Sequence, residues 1–280
     1  LVTKNAVFMR SVAFRKRLLF TNIIEVIQDT IEGSDYSLRV HYLDEDADEV
    51  KEAVRMCREH KPMGILFLGG NIQYFHEEFE LVNVPCVLVT DRADKLGFRN
   101  LASVSTDDMA AAEMAVDYLF DHGHRDIAVI GGDMALSSPS KYRKAGAKRS
   151  FIKHGCEFEE ESYAVARFSY ESAYNAMNRM LASQRSITAV FAMSDVMAVG
   201  AMRAIFDAGL RVPEDISVIG FDGTLLADYY NPKIVTVCQG YEKIARKSID
   251  LLFGMIDLNK PATHELVPFS LKNTESVSSI

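Results

Sequence analysis

The chain has 280 residues, 48% of them hydrophobic and 25% charged, with a formal net charge of −8 at pH 7. That length exceeds one average domain and predicts two lobes, each with apolar residues enough for its own core. The acidic balance argues against the chain being, by itself, a nucleic-acid-binding surface, which would carry a basic stripe. No apolar run reaches the roughly 18 residues of a membrane span.

Residues 4–9 read as a first strand, followed by a basic connection, Arg10 to Arg17. The first residues lack a clean apolar core and do not form a signal peptide. A chain starting at Leu rather than Met is expected to have lost something upstream. Residues 20–31 form an amphipathic helix, with Ile23, Ile24, Ile27 and Ile31 on one face and Gly33 as its stop. A strand at 38–43 leads to a helix at 46–60, acidic in its first turn as the helix dipole favours. A strand at 64–68, a helix through 79–82 and a strand at 84–89 follow, with Asp91 and Arg92 at the last strand's end. After a short strand at 101–104, Thr106-Asp107-Asp108 caps a helix running to about His122.

Residues 127–130 form a strand ending in Gly131-Gly132, and a polar loop, Ser137 to Ser140, precedes a helix at 141–154. A strand at 163–166 and a helix at 169–182 come next. Thr188 to Ala192 is a buried strand, and Ser194-Asp195 opens a helix written by Val196, Val199, Met202 and Phe206 and ended by Gly209. The strand at 216–222 ends in Asp222, Pro232 breaks a short helical segment, and a strand at 234–238 ends before Gln239. A helix at 241–257, a strand at 264–269 and a polar, loosely held tail from Lys272 close the chain.

About ten strands alternate with about nine helices, an α/β grammar that predicts two parallel sheets of five or six strands. In such sheets ligands bind beyond the carboxyl ends of the strands. Ser194, Asp195, Asp222 and Gln239 all fall at such ends. Cys57, Cys86, Cys156 and Cys238 form no CxxC pair; they read as free thiols, with a disulfide as the alternative. There is no phosphate loop, no nucleophile elbow and no HExxH pairing, so an enzyme, a cofactor and a metal site are not expected.

Three patterns resemble the lactose-repressor (LacI/GalR) family in its effector-binding core. The first is Val104-Ser105-Thr106-Asp107-Asp108, with Tyr118-Leu119, then Gly123-His124-Arg125-Asp126-Ile127. The second is Arg143-Lys144-Ala145-Gly146. The third runs from Thr188 to Gln239 through Ser194-Asp195, Ala198-Val199-Gly200-Ala201, Arg211-Val212-Pro213-Glu214-Asp215 and Gly220-Phe221-Asp222. The resemblance implies a type I periplasmic-binding-protein-like fold: two Rossmann-like lobes joined by three crossovers, with an effector in the cleft between them. It assigns residues 1–122 and 240–260 to the N-terminal lobe and residues 123–239 and 261–280 to the other. It further implies a cytoplasmic, homodimeric regulator that binds a sugar or sugar derivative, or an anionic ligand. Coupling to DNA would run through a headpiece absent from this chain, and no membrane partner is implied. A solute-binding protein of a sugar ABC importer shares the fold and is the alternative. Two departures stand out: the basic first loop, and Gly223 where the family often has a second Asp or Asn.

The resemblance also nominates site residues. Asp222 would accept hydroxyl hydrogen bonds from a sugar, or else cap the segment from Thr224. Arg143 would offer its planar donor fork to the ligand, or else be a solvated cation on a helix face. Ser194 lies where the family often has an Asn that contacts ligand, and Asp195 beside it is a candidate for which capping is the competing role. Phe168 would stack on a sugar face or belong to the core. Gln239 would bond ligand or a hinge, and Asp107 is a helix cap first and a ligand neighbour second. Asp91 and Arg92 are lesser candidates. Ser11, Phe14 and Arg17, in the first loop, would line the cleft or form a charged surface turn.

Overall fold

The structure, a computed structural model, describes residues 4–11, 18–43, 47–183 and 186–280. Its elements begin with β1 (Lys4–Ser11), α1 (Leu18–Ile31), β2 (Tyr36–Leu43), α2 (Glu49–Glu59) and β3 (Ile65–Leu68). Next come β4 (Cys86–Val89), β5 (Leu101–Thr106), α3 (Asp108–Asp121), β6 (Ile127–Gly131), α4 (Ser138–Lys153) and β7 (Tyr163–Val165). Then follow α5 (Tyr170–Ala182), β8 (Ala189–Ala192), α6 (Asp195–Asp207), β9 (Ser217–Asp222) and α7 (Leu225–Tyr229). The last are β10 (Val235–Cys238), α8 (Tyr241–Leu258), β11 (His264–Val267) and β12 (Ser270–Lys272).

These elements form two compact units. The described residues up to Thr106, with Tyr241–Val267, make the first; Asp107–Gly240 and Pro268–Ile280 make the second. The chain passes from one to the other three times, as expected, but the first passage is at Thr106/Asp107 rather than after residue 122. The reason is packing: α3 presents Ala111, Ala112 and Ala115 to the second unit's core. Gly146 of α4 lets the two helices approach closely, since a Cβ there would lie 2.1 Å from the Met109 carbonyl oxygen.

In the first unit the strand order is β11-β5-β4-β3-β1-β2, parallel throughout. Alternate residues serve opposite faces, as the two-residue strand period requires. Leu66, Leu68, Val87 and Val89 meet Ile23 and Ile27 of α1 and Ile244 and Leu252 of α8. Ile65, Phe67, Cys86 and Leu88 meet Val50, Ala53 and Met56 of α2 and Phe79. Asp48 starts α2 by accepting from the amides of Val50 and Lys51.

The second unit repeats the order as β12-β10-β9-β8-β6-β7, with only β12 antiparallel among the described strands. One continuous core joins Ile127–Ile130, Val190, Phe191, Val218, Ile219 and Phe221 to α3, α4, α5 and α6. The order reverses between β6 and β8, the switch point at which doubly wound sheets bind ligands.

Several expected elements differ. The helix through 79–82 is a 3-10 turn, Glu77–Leu81. The strand at 264–269 is two strands broken at Pro268, which has no N–H for a ladder. β11 joins the first sheet and β12 the second. The tail is bound rather than loose: Ser276 is fully buried, and its Oγ accepts from Val235 N and donates to Val218 O. All four cysteines are free. Among the described residues no helix is long and apolar enough to cross a membrane.

Candidate functional site

Arg143, Phe168, Ser194, Asp195, Asp222 and Gln239 stand at the carboxyl end of the second unit's sheet. Arg143 is the most constrained. It is 4% exposed, so it is not a solvated helix-face cation. Its Nε donates to Asp108 Oδ1 at 2.7 Å and its Nη1 to the Met193 carbonyl at 2.6 Å. Its guanidinium carbon lies 3.8 Å from the centre of the Phe221 ring. Nη2 makes no hydrogen bond to a described residue. Since Met193 follows β8, these contacts fix the fork at the switch point.

Asp222 ends β9 in a left-handed conformation, φ +117°, that a residue with a Cβ rarely adopts. Its Oδ1 accepts from Gln239 Nε2 at 2.7 Å, and its carbonyl accepts from Gln239 N at 3.3 Å. Gln239 is 1% exposed and follows β10, whose Cys238 pairs in register with Asp222. Asp222 does not cap α7: the helix starts at Thr224 without a side-chain cap, and the Thr224 amide bonds to Asp195. Gly223 explains the missing second carboxylate. It has φ +72°, and a Cβ there would lie 2.6 Å from Cys238 Cα, so no side chain fits.

Ser194 caps α6, its Oγ accepting from Met197 N at 3.2 Å. Asp195 is buried, and both its oxygens are engaged by protein. Oδ2 accepts from Thr224 N and Oγ1, and Oδ1 from Thr236 Oγ1. Phe168 follows β7 at φ +50° and is 6% exposed. It packs over Gly132, where a Cβ would lie 2.3 Å from its ring. Asp107 caps α3 through Ala110 N.

Ser11 ends β1 and belongs to the first unit. Phe14 and Arg17 lie outside the described residues. Asp91 and Arg92 also belong to the first unit; Asp91 Oδ1 accepts from Arg92 N, and Arg92 Nε donates to Asp94. Among the described residues no group of His, Cys, Asp and Glu is gathered as a metal site would need.

Asp108, Phe221, Thr224 and Thr236 complete this arrangement and were not singled out from the sequence. Asp108 stands beside a capping residue of the same type and reads as part of the cap. The threonines carry no periodic signal, because their partner is buried more than twenty residues away along the chain.

A family model described as a periplasmic binding protein-like domain matches residues 116–277. The chain is 32% identical over 266 residues to the HTH-type transcriptional regulator MalR of Clostridium butyricum, covering 93% of this chain and 78% of that protein. It is 36% identical over 275 residues to the probable HTH-type transcriptional repressor ExuR of Bacillus subtilis (strain 168), covering 92% and 78%. A solved dimeric Lac repressor superposes with a TM-score of 0.87 at 23% identity, over 99% of this chain and 100% of that one. The doubly wound units and their three chain passages are those of a periplasmic-binding-protein-like domain. Within that class, the chain belongs to the LacI/GalR family and is its effector-binding core. The matched curated relatives are transcriptional regulators, which favours the regulator over the importer component.

Proposed function

We propose that the second unit binds a small sugar or sugar derivative at the carboxyl end of its sheet, and that occupancy shifts the core between two conformations that differ in DNA affinity. The observation that carries this reading is that Arg143, Asp222, Gln239 and Ser194 all stand at the carboxyl end of the sheet, beside its switch point. Asp222 accepts hydroxyls, Gln239 offers an amide beside it, and Arg143 supplies planar donors. Asp108 already balances the Arg143 charge, so the described groups favour a neutral, hydroxyl-rich ligand over an anion. Phe168 flanks the same end. The chain acts by binding rather than catalysis, and it works where DNA is, in the cytoplasm.

The dimer forms through the second unit's α6–α7 face. Phe206 on α6 and Tyr229 and Leu225 on α7 are 69%, 79% and 52% exposed, apolar side chains that a second copy would cover. The relative described as a dimeric Lac repressor supports that occupant.

The test is calorimetric titration of a panel of monosaccharides, disaccharides and sugar acids. Asp222→Asn should weaken the affinity of whichever compound binds by about tenfold or more, given what a hydrogen bond to a charged group contributes. Unchanged affinity in Asp222→Asn, with the far-UV spectrum intact, removes Asp222 from the site. Phe206→Glu should turn a dimer into a monomer in sedimentation, and a dimer that persists places the interface elsewhere.

A further inference from the structure

We propose that Asp195 is the positioning residue for Asp222: it holds the end of β9 in the conformation that presents the Asp222 carboxylate, and it acts through that turn rather than by touching the ligand. The inference rests on the reading of Asp222 as an effector-binding group.

Asp195 is fully buried at the start of α6. It is not needed as a cap, because Ser194 caps the helix. Its oxygens instead draw together segments distant in the chain. Oδ2 accepts from Thr224 N at 2.7 Å and from Thr224 Oγ1 at 2.8 Å, which pins the residue two places after Asp222. Oδ1 accepts from Thr236 Oγ1 at 2.6 Å, which ties the same carboxylate to β10. Gly220 on β9 makes room for it, since a Cβ there would lie 2.7 Å from Asp195 Oδ1.

The pinned turn is the strained one. Asp222 at φ +117° and Gly223 at φ +72° follow one another. Such backbone persists only where its surroundings over-determine it. Gln239 holds Asp222 from β10, and Asp195 holds Thr224 from α6; removing either weakens the hold on the turn. The carboxylate is chemically suited to this, because it is acceptor-only and faces the Thr236 hydroxyl, the Thr224 hydroxyl and amide, and the Gly223 amide. Burial raises its pKa to about 6, while the Thr236 and Thr224 bonds pull it back toward the ionised form. Asparagine has the same shape but lacks the charge that strengthens these bonds, and its amide would require the Thr236 hydroxyl to turn round and accept.

The test uses the full chain without ligand, by amide NMR and hydrogen exchange. In Asp195→Asn the Thr224 amide should exchange about tenfold faster or more, as loss of a hydrogen bond to a buried charge implies. The resonances of Asp222, Gly223 and Thr224 should shift, and the amides of β6 and β8 should keep their protection. Thr236→Val removes one donor and leaves the Thr224 bonds; it should move the same resonances by less, and it carries the test if Asp195→Asn does not fold. Unchanged Thr224 exchange overturns the proposal. So does a uniform rise across the unit, which makes Asp195 an ordinary core residue. If Asp222→Asn leaves sugar affinity unchanged, the effector reading of Asp222 fails, whereas the exchange result still reports whether Asp195 holds the turn.

Discussion

Arg143 and Asp108 form an ion pair in which both side chains are 5% exposed, with Nε 2.7 Å from Oδ1. A buried pair contributes little over an apolar replacement, yet breaking it strands a charge. Arg143→Ala should therefore cost about 3–5 kcal/mol of stability, because it breaks the buried pair with Asp108 and frees the Met193 carbonyl. The double variant Arg143→Met, Asp108→Leu should recover most of that loss while remaining unable to bind ligand. Urea unfolding measures the first effect and sugar titration the second. A double variant no more stable than Arg143→Ala alone would show that the pair holds α3 to α4 for reasons other than charge matching.

Much of this fold was legible because it is written in period. Ile23 and Ile27 announce their face through spacing alone, and residues 64–68 read as a strand from an unbroken apolar run. Motif positions such as Arg143, Asp222 and Gln239 were legible through family resemblance, and the structure places them at one sheet end. What was not legible depends on contacts across sequence. Asp195 reads as a cap, but Ser194 has that role and Asp195 reaches Thr236, 41 residues away. Nothing local in Pro268 says that it divides a strand between two sheets. The tail looks polar and loose because the serines that bind it are small and lie on no apolar stripe.

Glu49 is a carboxyl group buried at the start of α2, where its Oε1 accepts from Asn71 N at 2.6 Å. Burial raises its pKa from 4.5 to about 7, the Asn71 amide opposes that, and the nearby Asp48 charge adds to it. A group whose folded pKa is raised stabilises the fold fully below its unfolded pKa, and that stability is lost as pH rises through 7. Glu49→Gln keeps an acceptor for Asn71 and carries no charge. Its unfolding free energy should stay flatter between pH 5 and 8, and above pH 7 it should exceed the wild type by roughly 2 kcal/mol. Parallel pH profiles for the two proteins would remove Glu49 as the source of the slope.

His124 and Ser276 anchor the C-terminal tail, and here the pH dependence has the opposite sign. His124 is 1% exposed; its Nε2 lies 3.0 Å from Ser278 O and its Nδ1 3.1 Å from Thr188 Oγ1. The Ser278 carbonyl calls for a proton on Nε2, which leaves Nδ1 to accept from the Thr188 hydroxyl in the neutral ring. Burial lowers the His124 pKa below its ordinary 6.5, against the raising effect of the Ser278 bond. The unfolded chain therefore takes up the proton first as pH falls, and this share of stability disappears on acidification below about 6.5. His124→Gln should shrink that acid slope. Ser276→Ala should cost about 1–3 kcal/mol at any pH, because it leaves the buried Val235 amide without its acceptor. Urea unfolding at pH 5.5 and 7.5 separates the two effects. A Ser276→Ala variant as stable as the wild type would mean that the tail lies on the second unit without supporting it.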